Sequence, residues 1–445
     1  MVKEERLGSH AVVIGGSMAG LLAARVLANR FERVTVIERD ELKNEPVVRK
    51  GAPQANHAHA LMIRGQQIME RLFPGLTQDL IAAGADYSDS ARDSRWYQHG
   101  VIKGRFDSGL MALSMSRALL EWQVRTHLLR LPNVQLVSGL RVTGLVTDAS
   151  RTAVTGINVQ PVQGGLPETL LAADLVVDAS GRGTRTPGWL QELGYGEVPV
   201  TELKLDVAYA SRIFHWPASR PDWHLRLQFE ERPSTRICVM LPLEGNRWLV
   251  TLQTMFGDAC PTDEAGFMAF IRDLSEPDIH EVLSRCEPEG PIMAYRIPSS
   301  LRRHYERMAR FPEGLMVLGD AACSFNPRYG QGMTTAAMGA EALEQALLEQ
   351  GNGRLEGLSR RFQQRLAKVI ELPWQAGTSE DLAYPEAEGA RPVGAGLINW
   401  YMRRMIRLGS RDREAAISFL RVLHLLRPIS EVFRPRVLLR VLTGL

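Results

Sequence analysis

The sequence predicts an α/β protein built from discontinuous domains, and three observations predict it. The stretch AVVIGGSMAGLLAARVLA (11–28) reads as strand, glycine turn and helix, with RVTVIERD (33–40) as a second strand. Residues 200–290 turn to aromatic and alternating apolar segments, the pattern of an antiparallel sheet with one covered face. After Pro373 the pattern is helical and rich in arginine. At 445 residues the chain is too long for one small core and suits two or three structural units.

The elements follow in order. The β-branched run 11–15 is a buried strand, and the helix from about 18 to 29 keeps Leu, Ala and Val on its packing faces. The second strand ends at acidic Glu38, so strand, glycine turn, helix, strand and acid form a Rossmann-like βαβ unit. A loop, NEPVVRKGAPQANHAHAL (44–61), precedes helical patterns over 63–83 and 114–130. Short strands fill 134–162, and AADLVVDASGRGTRTPGWLQELG (172–194) is a buried strand, a turn and a helix start. Residues 314–351 return to strand, loop and long helix. The expected domains are a nucleotide-binding unit (1–80, 105–195 and 291–372), a substrate-binding sheet (81–104 and 196–290) and a C-terminal helical region (373–445).

Composition narrows the function classes. A net charge of +3 argues against nucleic acid as partner, and no apolar run approaches the ~18 residues of a membrane span. Residues 1–10 lack the apolar core of a signal peptide, and four well-separated cysteines suit a reducing cytoplasm. No metal site is expected, because His57 and His59 have chelate-like spacing without a nearby Cys or carboxylate.

The first glycine turn departs from G-x-G-x-x-G, since its three positions are Gly15, Ser17 and Gly20. Gly15 permits the turn and Gly20 permits close helix–strand packing. The N–H groups around Met18 and Ala19, with the positive end of the helix dipole, face a pyrophosphate. Ser17 is small and its hydroxyl can reach a phosphate oxygen, while Glu38 would accept from a ribose. A purely structural turn is one alternative here. A nucleophile elbow is another, but it needs glycine where Ala19 stands.

A second stretch, VLGDAACSFNPRYGQGMTTAAM, puts Asp320 directly after an apolar strand and opens a long helix with Pro327, Gly330 and Gly332. An acid at a strand end can bind a ribityl hydroxyl. A glycine-opened helix N-terminus can face a planar ring and favour its reduced anion. The alternative is a plain strand–loop–helix connection with Asp320 as N-cap.

GDAACSFNPRYGQGM resembles the second FAD motif of flavoprotein monooxygenases of the p-hydroxybenzoate hydroxylase superfamily. ADLVVDASGRGTRTP resembles their middle motif, with Asp178 and Gly181 in its Asp and Gly positions. The motifs stand in the family's order over roughly residues 10–350. RKGAPQANHAHAL and PWQAGTSEDLAYPEAEG look like actinobacterial polyether epoxidases of the monensin and lasalocid type. The resemblance implies an FAD-binding Rossmann-like domain of the glutathione-reductase and p-hydroxybenzoate-hydroxylase type. It implies cofactor contacts at Gly15, Ser17, Met18, Ala19, Gly20, Glu38, Arg39, Arg49, Arg117, Val142, Asp178, Asp320, Pro327, Gly330, Gly332 and Met333. Cys323 departs from the histidine that many hydroxylases carry there, which puts the aromatic-hydroxylase subtype in doubt.

In such enzymes FAD carries the difficult chemistry: reduced flavin adds O2 at C4a, and an electron-rich alkene or phenol attacks the distal oxygen. The expected activity is alkene epoxidation or hydroxylation of a lipophilic polyketide or terpenoid, with electrons from NAD(P)H directly or through a flavin reductase. No catalytic side chain is obligatory. Gln54 and His57 are candidates to shape the oxygen site, with polar loop packing as the alternative. Phe214, Trp216, Trp223, Phe229 and Met240 are candidates to line a lipophilic pocket, with sheet core as the alternative. Competing readings are a reductase of the geranylgeranyl reductase type and a non-enzymatic flavin-binding protein. Flavin halogenases share the fold, but their W-x-W-x-I-P motif is absent. From 391 onward eleven arginines face three acids, with apolar residues interleaved at helical spacing. This tail reads as a helical cover over the cavity, or as a surface for membrane lipid or an acyl carrier protein.

Overall fold

In the computed structural model, which describes residues 6–164, 166–351, 355–389, 391 and 394–443, the first strand is β1 (Gly8–Ile14). It leads through the glycine turn to α1 (Met18–Leu27) and β2 (Phe31–Ile37). Next come α2 (Ile63–Leu72), α3 (Leu76–Ala82), β3 (Asp86–Asp89), β4 (Ser94–Gln98), β5 (Val101–Ile102) and β6 (Met111–Ser114). The single helix expected over 63–83 is two helices, because Pro74 and Gly75 break it and Gly75 takes a φ of 89°. Helix α4 (Arg117–Leu128) starts at Ser116, whose hydroxyl accepts from the Leu119 N–H. Strands β7 (Val134–Val137), β8 (Leu140–Thr147), β9 (Val154–Pro161), β10 (Thr169–Ala172) and β11 (Leu175–Asp178) lead to α5 (Thr186–Glu192).

The second half begins with β12 (Val200–His215), β13 (Leu225–Phe229), β14 (Ile237–Leu243) and β15 (Arg247–Thr254). Helices α6 (Glu264–Arg272) and α7 (Asp278–Leu283) precede β16 (Pro288–Arg303), β17 (Leu315–Val317) and β18 (Cys323–Ser324). The rest is helical: α8 (Gly332–Glu349), α9 (Leu358–Asp381, running through Pro373), α10 (Ala395–Leu408), α11 (Arg413–Leu423) and α12 (Pro435–Thr443).

A five-stranded parallel sheet in the order β17–β11–β1–β2–β7 forms the first core. Val12, Val13, Val34, Val36, Val176 and Val177 are fully buried in it. A parallel sheet covered on both faces needs such continuous apolar strands. This order places the ends of β1, β11 and β17 side by side, so the turns after all three open at one edge.

The other large sheet has eight strands, ordered β18–β16–β12–β15–β14–β13–β4–β5. Its pairs are antiparallel except β13 with β4. Side chains alternate between its faces. One face carries Phe214, Met240, Trp248 and Leu252 and packs beneath α6 and α7 with Phe267, Ile271 and Ile279. The opposite face carries Tyr209 and Ser211 of β12 beside Gln253 and Thr251 of β15. Helices α10 to α12 have their own core of Tyr401, Met405, Val432, Val437 and Val441. Through Phe419, Leu420 and Leu423 they also cover Trp96 and Phe229. Among the described residues no helix is long and apolar enough to cross a membrane.

Candidate active site

The glycine turn between β1 and α1 is sterically compulsory. A Cβ on Gly20 would lie 1.8 Å from the Gly15 carbonyl oxygen, and one on Gly15 would lie 2.6 Å from that of Ala179. A Cβ on Gly319 would lie 2.6 Å from the Ala19 methyl. Three turns far apart in sequence, at 15–20, 178–181 and 319–320, are therefore packed against one another with glycine at each contact.

Ser17 is the N-cap of α1, yet its side chain does not cap the helix. Its hydroxyl donates to Glu121 Oε2 at 2.8 Å and accepts from Arg117 Nη2 at 2.9 Å. No histidine base stands at this hydroxyl, so the elbow alternative has no geometry behind it. Glu121 also accepts from Arg49 Nε at 2.9 Å and pairs with Arg117 at 2.8 Å. Arg49 reaches Glu38 and Asp40 as well, each at 3.0 Å. Glu38 in turn accepts from the Gly16 and Asp40 N–H groups. Burial alone would raise the Glu121 carboxyl, but Arg117 and Arg49 outweigh it and hold it below the ordinary range. Arg117 keeps one nitrogen, Nη1, buried without a partner.

Around this cluster the other expected residues scatter. Met18 is buried and Arg39 is exposed. Val142 follows Leu140, whose N–H donates to the Glu38 carbonyl, so it stands beside the acid end of β2. Asp178 turns inward: its carboxylate accepts from the Ser180 N–H and from the Thr184 and Thr186 hydroxyls. That carboxylate fastens its own loop.

Asp320 lies at a small open cleft, which Gly319, Cys323, Phe325, Gly332 and Thr335 also line. The side chain reaches solvent on one side and is hemmed in by protein on the others. Burial raises its carboxyl, opposed by Arg182, Arg117 and Arg303. At the N-terminus of α8 the Gln331 side chain makes no cap, and Gln331 Oε1 and Thr335 Oγ1 are buried without partners. Gly332 has open space where a side chain would stand. Gly330 adopts a φ of 64°, and a Cβ there would lie 2.8 Å from the Ala60 methyl. Pro327 is exposed and opens the preceding turn, while Met333 is buried.

The histidine loop joins the two sheets. Thr334 Oγ1 accepts from the Met62 N–H at 3.0 Å, which pins the loop to α8. His57 crosses to the polar face of the eight-stranded sheet. Its Nδ1 lies 2.8 Å from Ser211 Oγ, and its ring packs on Tyr209 and Tyr295. Burial lowers its pKa to about 4, assisted by His59, so the ring is neutral at neutral pH. His59 bonds back to the His57 carbonyl. Among the described residues no group of three or more His, Cys, Asp or Glu could hold a metal ion. Gln54 sits partly buried in the turn 53–56 at the start of this loop.

Four of the five expected pocket residues stand on the face of the sheet that α6 and α7 cover. Phe214, Trp216, Trp223 and Met240 pack under α6 and α7. Their strand spacing was read correctly, but periodicity does not say which layer covers which face. Phe229 alone faces the other way, against Trp96 and Phe419, with the Arg328 guanidinium 5.4 Å above its ring.

Several residues escaped the sequence reading. Asp381, at the end of α9, is buried and accepts from Asn326 Nδ2 at 2.9 Å and from the Tyr329 hydroxyl at 2.7 Å. Its Oδ2 is unpartnered, as are Tyr209 OH and Gln253 Nε2. Burial raises its pKa to about 6 against the pull of Tyr329 and Arg328. Arg182 bridges Ser299 and Ser324 beside the cleft. Glu121 had one sequence signal, its i,i+4 spacing from Arg117.

A family model described as FAD binding domain matches residues 9–367, most of the chain. The chain belongs to this family. It is a family of flavin-dependent monooxygenases of the aromatic-hydroxylase type. Protein Rv3254 of Mycobacterium tuberculosis is 34% identical over 430 residues, covering 90% of each chain. Kynurenine 3-monooxygenase of Salinispora tropica is 24% identical over 376 residues, covering 77% of this chain and 73% of the relative. Among solved structures, p-nitrophenol 4-monooxygenase PnpA of Pseudomonas putida superimposes with a TM-score of 0.66 at 18% identity, covering 95% and 97% of the two chains. The flavin-dependent brominase Bmp2 gives 0.68 at 15% identity over 98% of each. These two likenesses establish the FAD-binding Rossmann-like fold, which hydroxylases and halogenases share.

Proposed function

We propose that this flavoprotein inserts one atom of O2 into a lipophilic, electron-rich small molecule, giving an epoxide from an alkene or a hydroxyl from a phenol. A polyketide- or terpenoid-type substrate and electrons from NAD(P)H, directly or through a flavin reductase, complete the reading. One observation carries it: three glycine turns pack on one another, and Arg117 Nη1 beside the first of them and Gln331 Oε1 and Thr335 Oγ1 at the start of α8 are buried without partners in the protein. Buried polar atoms are seldom left unsatisfied, so a ligand with both donors and acceptors fits there.

FAD suits that donor set. The uncapped end of α1 and Arg117 would take its pyrophosphate, and the spare lone pairs of Glu38 a ribose hydroxyl. Asp320 would take the ribityl chain, and the backbone from Gly330 to Met333 the ring. When bound and reduced, FAD activates O2 for transfer to the substrate. The chain's own part is to bind, orient and exclude water. The His57 loop is pinned to α8 and to the sheet. Helix α11 covers Phe229 and Trp96.

The test is reconstitution with FAD, chemical reduction without oxygen, and exposure to ¹⁸O2 with a panel of alkenes and phenols. A single labelled oxygen in the product is expected. Unlabelled product would refute oxygen insertion, and a halogenated product with bromide present would move the protein to the brominase side of the fold. Failure to take up FAD would refute the flavin site itself.

A further inference from the structure

The C-terminal helices carry an outward face that neither sheet uses. Among the described residues, seven of the seventeen exposed large hydrophobic side chains lie between 397 and 442, so the exposure is concentrated. On α10, Leu397 and Trp400 stand one turn apart and are 69% and 44% exposed. On α12, Leu439 and Leu442 stand one turn apart and are 64% and 51% exposed. The helical bundle does not need them, because Met405, Val437 and Val441 fill its interior. The two pairs are neighbours in space. Arg404 lies 5.2 Å over the Trp400 ring and donates to the carbonyl of Val441, next to Leu442.

The charge around this face is net positive. Residues 394–443 hold ten arginines, no lysine and three acids. All three acids are engaged within the region: Asp412 and Glu414 with Arg440, and Glu431 with Arg434. Arg436 is exposed one turn before Leu439. Protruding leucines, an arginine-stacked tryptophan and a net positive rim are what the boundary between lipid headgroups and acyl chains accepts. An acidic protein would match the charge but offers no fluid apolar layer for protruding leucines to enter.

We propose that α10 and α12 seat this protein peripherally on an anionic membrane, with Leu397, Trp400, Leu439 and Leu442 in the headgroup–acyl boundary. The arginines bind lipid phosphates, and no segment crosses the bilayer.

The experiment is co-sedimentation of the full-length, FAD-loaded protein with vesicles of phosphatidylcholine alone and of phosphatidylcholine mixed with phosphatidylglycerol. Binding to the mixed vesicles and its weakening by salt are expected. Leu439→Glu with Leu442→Glu should cut partitioning at least about tenfold. Arg436→Glu should cut it about thirtyfold. Leu348→Glu, on an equally exposed residue of α8, should leave it unchanged. Each variant is accepted only with wild-type Tm and FAD content, readouts a surface change does not move. No binding to either vesicle, salt-independent binding to both, or full binding by the leucine variant would overturn the proposal. So would tight binding of an acidic acyl carrier protein without binding to vesicles. Vesicle binding needs no turnover, so it succeeds or fails independently of oxygen insertion.

Discussion

Glu121→Gln tests the charged cluster at the first glycine turn. The substitution keeps the shape and removes one charge. In the wild type, Oε1 accepts from Arg49, and Oε2 accepts from Ser17 and Arg117. Whichever way the amide lies, its NH2 must face a donor. At least one charge-assisted bond is lost, worth about 1.5–3 kcal/mol, and the rest weaken. Arg49 retains Glu38 and Asp40, whereas Arg117 loses the acid it pairs with. The sum is about 3–4 kcal/mol, or about 3–4 °C in Tm for a chain of this length. Differential scanning fluorimetry with and without FAD reads it. Because Arg117 Nη1 is proposed to meet the pyrophosphate, bound FAD supplies a counter-charge, and the Tm gap should shrink to less than half. The Glu121 carboxyl is held low, so its contribution is complete above the ordinary carboxylate range. The gap should therefore close only in acid, as pH falls through the folded pKa. An unchanged Tm without FAD would show that Glu121 does not carry the cluster. A gap equally wide with FAD would show that Arg117 faces elsewhere.

Gly20→Ala puts a methyl group 1.8 Å from the Gly15 carbonyl, so soluble protein that still binds FAD would contradict the turn geometry. Asp381 has a pKa raised to about 6 by burial, so its burial costs stability as pH rises from about 4 to 6, by about 3 kcal/mol. Asp381→Asn should flatten the Tm profile over that window and gain on the wild type at pH 7, and a parallel profile counts against it. His57, lowered to about 4, works the other way: its contribution is lost as pH falls from 6.5 to 4, and His57→Gln should remove part of that acid sensitivity. Phe214→Leu should lower Tm and leave the substrate KM within about twofold, because its ring packs under α6 and α7. Phe229→Leu should raise KM, and the reverse pattern would put the pocket on the other face.

The nucleotide-binding half was legible because its signals are local. Gly15, Gly20 and Glu38 lie within one βαβ unit, and Asp320 with Gly330 and Gly332 within one strand–turn–helix. Each position has a steric or chemical reason that a short window reveals. Asp178 shows the limit, since a motif position recognised by spacing proved to spend its carboxylate on its own loop. The sheet domain was legible as a sheet, from aromatics at alternate positions, but not as a pocket.

The amino-acid sequence by itself determined the α/β class, the glycine turns, the flavin motifs and the arginine-rich helical tail. Tertiary structure alone decided that Phe214, Trp216, Trp223 and Met240 are core, and that His57, Tyr209 and Asp381 stand on the other side. It also joined Ser17 to Glu121 across 104 residues and linked Trp400 to the end of α12 through Arg404. The reason is physical. Period and propensity depend on neighbours a few bonds away, so the chain declares them. Which layer covers which face depends on surfaces meeting from distant segments, and no window of sequence contains both.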